Sequence, residues 1–115
     1  MRKELGNKGE DIAARYLEEQ GYKILKRNFR SRYGEIDIIC SLAQSIIFVE
    51  VKTRTSTSFG FPEEAITKTK REHIRKVALE YLAAQSQPFN EIRFDVIGIR
   101  IEKNEPHINH LEAAF

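Results

Sequence analysis

Gly34-Glu35-Ile36-Asp37-Ile38-Ile39-Cys40 and Ile46-Ile47-Phe48-Val49-Glu50-Val51-Lys52, joined by Ser41-Leu42-Ala43-Gln44-Ser45, are the stretch that decides the fold of this chain. Both arms are rich in Ile, Val and Phe and read as strands, and the polar joint is short enough for a hairpin loop. Strand side chains alternate between two faces. Ile36, Ile38 and Cys40 therefore share one face of the first arm, and Glu35, Asp37 and Ile39 the other. In the second arm Ile47, Val49 and Val51 share a face, opposite Ile46, Phe48, Glu50 and Lys52. Centring the loop between Ala43 and Gln44 sets Ile36 against Val51, Ile38 against Val49 and Cys40 against Ile47, one continuous apolar face. The same register sets Asp37 against Glu50 and Ile39 against Phe48. A slip of one residue would place Glu50 and Lys52 opposite apolar neighbours, so the hydrophobic pattern selects the register that joins the two acids.

Directly opposed strand residues have Cβ atoms about 4.5–5.5 Å apart. Two carboxylates at that distance repel, so one takes a proton or both share a cation. Mg²⁺ and Mn²⁺ prefer oxygen ligands and retain water, which suits hydrolysis. Lys52, on the face of Glu50, is placed to orient an attacking water or to stabilise charge on a phosphate. Glu10 is a third acid, in the helical row of Ala13, Ala14 and Leu17. Its bland reading is equally open: Asn7 as helix N-cap with Glu10 three residues on, a capping box.

Working outward, residues 8–20 read as a helix stopped by Gly21, and residues 22–30 as a strand. Residues 54–61 read as a flexible loop closed by Pro62. A long helix is expected over 63–85, with Ile66, Ile74, Val77, Ala78, Tyr81 and Leu82 as its buried stripe. Strands are expected over 92–101 and 106–111. The order is helix, three strands, helix, two strands: an α/β domain with a mixed sheet flanked by helices.

The 115 residues suffice for one domain over 1–115 and one core. With 41% hydrophobic and 31% charged residues the composition is that of a soluble globule. No apolar run approaches the roughly 18 residues of a membrane span. No apolar signal region follows Met1-Arg2-Lys3, and a single cysteine, Cys40, makes no internal disulfide; both fit a cytoplasmic protein. The net charge of +2 does not by itself point to nucleic acid.

Gly34-Glu35-Ile36-Asp37, then Phe48-Val49-Glu50-Val51-Lys52-Thr53-Arg54, resembles the metal-binding signature of the PD-(D/E)XK nuclease superfamily. The opening Gly6-Asn7-Lys8-Gly9-Glu10, with Arg93-Phe94-Asp95-Val96, narrows the resemblance to the YraN-like family of small bacterial proteins, which is similar to archaeal Holliday junction resolvases. It covers nearly the whole chain; Ile36 stands where the superfamily's name has proline. The resemblance implies a restriction-endonuclease-like core. It implies an active site of Glu10, Asp37, Glu50 and Lys52, in which Asp37, Glu50 and Glu10 bind Mg²⁺ or Mn²⁺. It further implies hydrolysis of DNA phosphodiester bonds, with branched or junction DNA as partner, a homodimer, and work in repair or recombination. The rival reading is a nucleic-acid-binding module that keeps the nuclease fold without cutting. A third is an ion-pair network of Asp37, Glu50 and Lys52 that serves structure alone.

Arg54 follows Lys52 directly, and Lys68, Lys70 and Arg71 stand on the second helix. Basic side chains there would meet phosphates without reading sequence. Their bland reading is a solvated face offset by Glu63, Glu64, Glu72 and Glu80. Either Lys68 or Lys70 can reach the catalytic face. Glu35 reads as a solvent charge, Asp95 as a structural hydrogen-bonding acid and Cys40 as core. His107 and His110, three apart on a strand, point to opposite faces and do not make a metal site with His73.

Overall fold

In a computed structural model of the chain, which describes residues 3–55 and 66–115, the expected order of elements is found. Helix α1 (Lys3–Glu19) leads into strands β1 (Lys23–Ser31), β2 (Gly34–Leu42) and β3 (Ser45–Arg54). Helix α2 (Lys68–Ala84) follows, then β4 (Glu91–Glu102) and β5 (Glu105–Leu111). The five strands form one sheet in the order β1-β2-β3-β4-β5. All neighbours are antiparallel except β3 and β4, which run parallel and are connected through α2. A parallel pair requires such a crossover.

Both faces of the central strands are apolar, so both need a cover. On one face α1 packs Ala13, Ala14 and Leu17 against Ile38, Cys40, Ile47, Val49, Ile97 and Ile99. On the other α2 packs Ile74, Val77 and Ala78 against Ile36, Ile39, Ile46 and Phe48. Helix α1 ends as Gly21 suggests. Gly21 takes φ of 96°, while its N–H donates to the Glu18 carbonyl and the Tyr22 N–H to the Leu17 carbonyl. This is a Schellman closure, with Tyr22 and Leu17 in one apolar cluster.

The hairpin register holds over Ile38↔Val49, Ile39↔Phe48, Cys40↔Ile47, Ser41↔Ile46 and Leu42↔Ser45. It stops there, which corrects part of the expectation. Ile36 does not join Val51 on the α1 face but packs under α2 with Ile39. The cause lies around Asp37. Asn28 stands between Arg27 and Phe29, which pair with Ile38 and Ile36, and it adopts φ of 55°. The alternation of β2 is broken opposite it, between Ile36 and Ile38.

Two helix starts also differ. Helix α1 begins at Lys3, so Asn7 lies inside it and is not an N-cap; the capping-box reading of Glu10 falls. Helix α2 begins at Lys68, with Thr67 as N-cap accepting from the Lys70 N–H. Ile66 is half-buried but precedes that helix. Residues 56–62 of the expected loop, and the expected first helical residues 63–65, lie outside the described residues.

Candidate active site

Beyond Ile38↔Val49 the ladder between β2 and β3 gives way to a side chain. The Val51 N–H donates to Asp37 Oδ2 at 2.8 Å. Asp37 thus caps the point where the two strands part, and Glu50, next along β3, is brought beside it. Asp37, Glu50, Val51, Lys52, Thr53, Arg54 and Lys70 line a cleft of about 450 Å³. The two acids that the sequence opposes are therefore together, by a side-chain bridge in place of the expected strand pairing.

The electrostatics are those of a crowded pair. Burial, a hydrogen bond shared with Glu50 and repulsion from its charge push the Asp37 carboxyl well above the usual carboxylate range; the Val51 N–H opposes this only partly. Glu50 is 5% exposed. Lys70 Nζ stands 2.6 Å from Glu50 Oε2, a close ion pair. Lys52 is pulled below the ordinary lysine value by burial and by the positive charge of Lys70, against the attraction of Glu50 and Asp37. Burial also works against the Lys70 ammonium, but Glu50 and Asp37 outweigh it and its pKa rises.

These features fit a divalent cation. Two hard oxygen donors converge, and one is forced towards its proton by the other. Asp37 and Glu50 are the residues that would hold the ion.

Glu10 reaches this region from the other face of the sheet. At Gly9 an added Cβ would lie 2.9 Å from Thr53 Cβ and closer still to Thr53 Oγ1. Only glycine lets α1 lie so close to β3. Glu10 follows, 7% exposed, with its Oε1 accepting from Arg27 Nε (3.0 Å) and Asn28 Nδ2 (2.9 Å). Its charge adds to the upward push on Asp37. It does not line the cleft, and among the described residues no three acids, histidines or cysteines form a group able to hold a metal. Glu10 is thus held behind Asp37 and Glu50 by Arg27 and Asn28, outside the lining of the cleft. Arg27 and Asn28, which hold it, were not singled out in the sequence: an arginine in a charged strand is unremarked, and the left-handed backbone of Asn28 leaves no mark in composition.

Of the basic candidates, Arg54 and Lys70 line the cleft, whereas Lys68 and Arg71 do not. The choice between Lys68 and Lys70 thus falls to Lys70. Glu35 pairs with Arg30 at 3.2 Å, in keeping with its bland reading. Asp95 is fully buried and structural: it accepts from Arg93 Nε and Nη2 (both 2.8 Å) and from the Ala113 N–H (3.0 Å), and His110 Nε2 lies 2.7 Å away. Arg93 and His110 extend the network to Tyr22 and Tyr16.

The family model of the uncharacterised protein family UPF0102 matches residues 9–99, which span both acids of the cleft. A UPF0102 protein of Syntrophomonas wolfei subsp. wolfei is 51% identical over 115 residues, all of both chains. One of Geobacter metallireducens is 51% identical over 98% of this chain and 93% of its own. One of Nocardia farcinica is 50% identical over 96% of this chain and 88% of its own.

Proposed function

Taking as premise that the chain belongs to the uncharacterised protein family UPF0102, we propose that it is a Mg²⁺- or Mn²⁺-dependent endonuclease hydrolysing DNA phosphodiester bonds. The observation that carries this reading is the pair of half-buried Asp37 and buried Glu50, opening beside Lys52 into a cleft. An ion held by Asp37 and Glu50 would supply Lewis-acid polarisation of a phosphate and would make water in the site more acidic. The chain's own groups do the rest. Lys52, with its lowered pKa, is suited to take the proton of the attacking water or to meet the charge of the transition state. Arg54, exposed at the rim, positions the backbone phosphate. Glu10, fixed by Arg27 and Asn28, adds negative charge behind Asp37 and so favours a cation in front of it.

The resemblance to junction resolvases makes branched DNA the first substrate class to test. It also extends the proposal to a homodimer, since a junction offers two symmetric strands, and to a cytoplasmic role in repair or recombination. Among the described residues no helix is long and apolar enough to cross a membrane.

The test is metal-dependent stability and cleavage in one series. Mn²⁺ and Mg²⁺ are titrated into the wild type and Glu50→Ala while melting is followed, and aliquots are given labelled duplex, flap and four-way junction DNA. Wild type alone should be stabilised by metal and should cut, with Glu50→Ala slower by at least about a hundredfold. DNA binding without cleavage at any metal concentration would favour the non-catalytic module. No metal response with or without DNA would remove the metal site itself.

A further inference from the structure

The cleft holds a cation of the protein's own. Lys70 enters it from the first turn of α2, where its backbone N–H is fixed by the Thr67 side chain at 3.1 Å. Its Nζ stands 2.6 Å from Glu50 Oε2, in a close ion pair. The partners are unequal in freedom: the Glu50 side chain is 6% exposed and that of Lys70 is 44% exposed. The acid is held and the lysine has room to leave.

There is also somewhere for it to go. Lys70 lines a second hollow of about 240 Å³, shared with Tyr33, Glu35, Thr67 and His73, as well as the cleft itself. Lys70 belongs to both linings. A divalent ion seeking Glu50 Oε2 would bring two positive charges into contact at one oxygen, which is unfavourable in a half-buried site. Ammonium and metal therefore exclude one another.

We propose that Lys70 is the resident counter-ion of the Asp37–Glu50 pair, that metal entry displaces it towards the neighbouring hollow, and that metal affinity is set by this exchange. The inference rests on the metal site proposed above. It assigns Lys70 a positioning role upstream of any chemistry: it keeps the acids in place while the site is metal-free and yields them on loading.

The test reads metal binding and lysine accessibility, and needs no activity. Mn²⁺ binding to the full chain is measured by loss of the free-ion resonance signal for the wild type, Lys70→Met, Lys70→Arg and Glu50→Gln. Lys70→Met should bind about five- to tenfold tighter than wild type, Lys70→Arg no tighter, and Glu50→Gln far weaker. Reductive methylation of the wild type, read by mass spectrometry, should show Lys70 becoming more reactive at saturating Mn²⁺. That second measurement stands even if Lys70→Met folds poorly. Wild-type or weaker affinity in a folded Lys70→Met, or unchanged Lys70 reactivity on Mn²⁺ binding, overturns the exchange and leaves the metal site standing. Absence of Mn²⁺ uptake by both wild type and Lys70→Met overturns the exchange together with the site beneath it.

Discussion

Burial and Glu50 move Asp37 from the usual carboxylate value of 3.8 up to about 9, which couples its proton to folding and to metal. Between those values the folded chain holds a proton that the unfolded chain has released. The stability Asp37 contributes is therefore fully present below about pH 4 and is lost as pH rises through about 9. Metal-free wild type should lose melting temperature relative to Asp37→Asn as pH is raised from about 5 to 9. Stabilisation by Mg²⁺, which replaces that proton, should grow over the same range. Parallel melting curves of the two proteins with and without Mg²⁺ check both; a pH-independent difference would mean that Asp37 keeps an ordinary pKa. The proximity behind this behaviour was legible in the sequence. Ile38, Cys40, Ile47 and Val49 can be buried together in one register only, and that register carries Asp37 towards Glu50. What was not legible is the manner of the meeting. Asparagine tolerates the left-handed backbone that Asn28 adopts, but the residue type does not say where in a strand it will be used, so neither the turn of Ile36 to the α2 face nor the Asp37–Val51 bridge could be read in advance.

The elements owe their placement to a few close fits. Gly9 is the point where α1 meets Thr53 of β3, and any side chain there must force the two apart. Gly9→Ala should destabilise the fold by about 1–3 kcal/mol, measured by denaturant unfolding. It should also lower cleavage more than melting temperature explains, because Glu10 moves with the helix. Full activity in a destabilised Gly9→Ala would separate Glu10 from the chemistry. Helix existence and order were plain from periodicity, whereas the starts were not. Asn7 and Pro62 are both good start signals, yet α1 runs through Asn7, and at α2 the cap is Thr67, whose hydroxyl is already engaged by Lys70. Cap signals compete locally, and tertiary packing decides among them.

Two polar clusters of the described residues are held differently. One is the cleft, where Glu50 is paired with Lys70. The other is the Asp95 network, where both carboxylate oxygens are satisfied. Breaking a buried pair by removing one partner strands the other's charge. Asp95→Ala should therefore cost about 3–5 kcal/mol in chemical denaturation while Mn²⁺ affinity stays at the wild-type level. A parallel loss of Mn²⁺ affinity would show the two places to be one system. From the sequence Asp95 was recognisable as a structural acid, but its partners were not: His110 and Tyr16 lie 94 positions apart and are joined only by the finished sheet.

The single parallel pairing has a consequence in time. Partners in β1, β2 and β3 are near neighbours along the chain, whereas every partner in β3 and β4 is 46 positions away. Local contacts form early, and distant ones wait for the loop between them to close. The meander that carries Asp37 and Glu50 can thus be made before α2 docks and delivers Lys70. The acids are brought together by local strand pairings, whereas the pairing that encloses α2, and Lys70 on it, is between strands 46 positions apart.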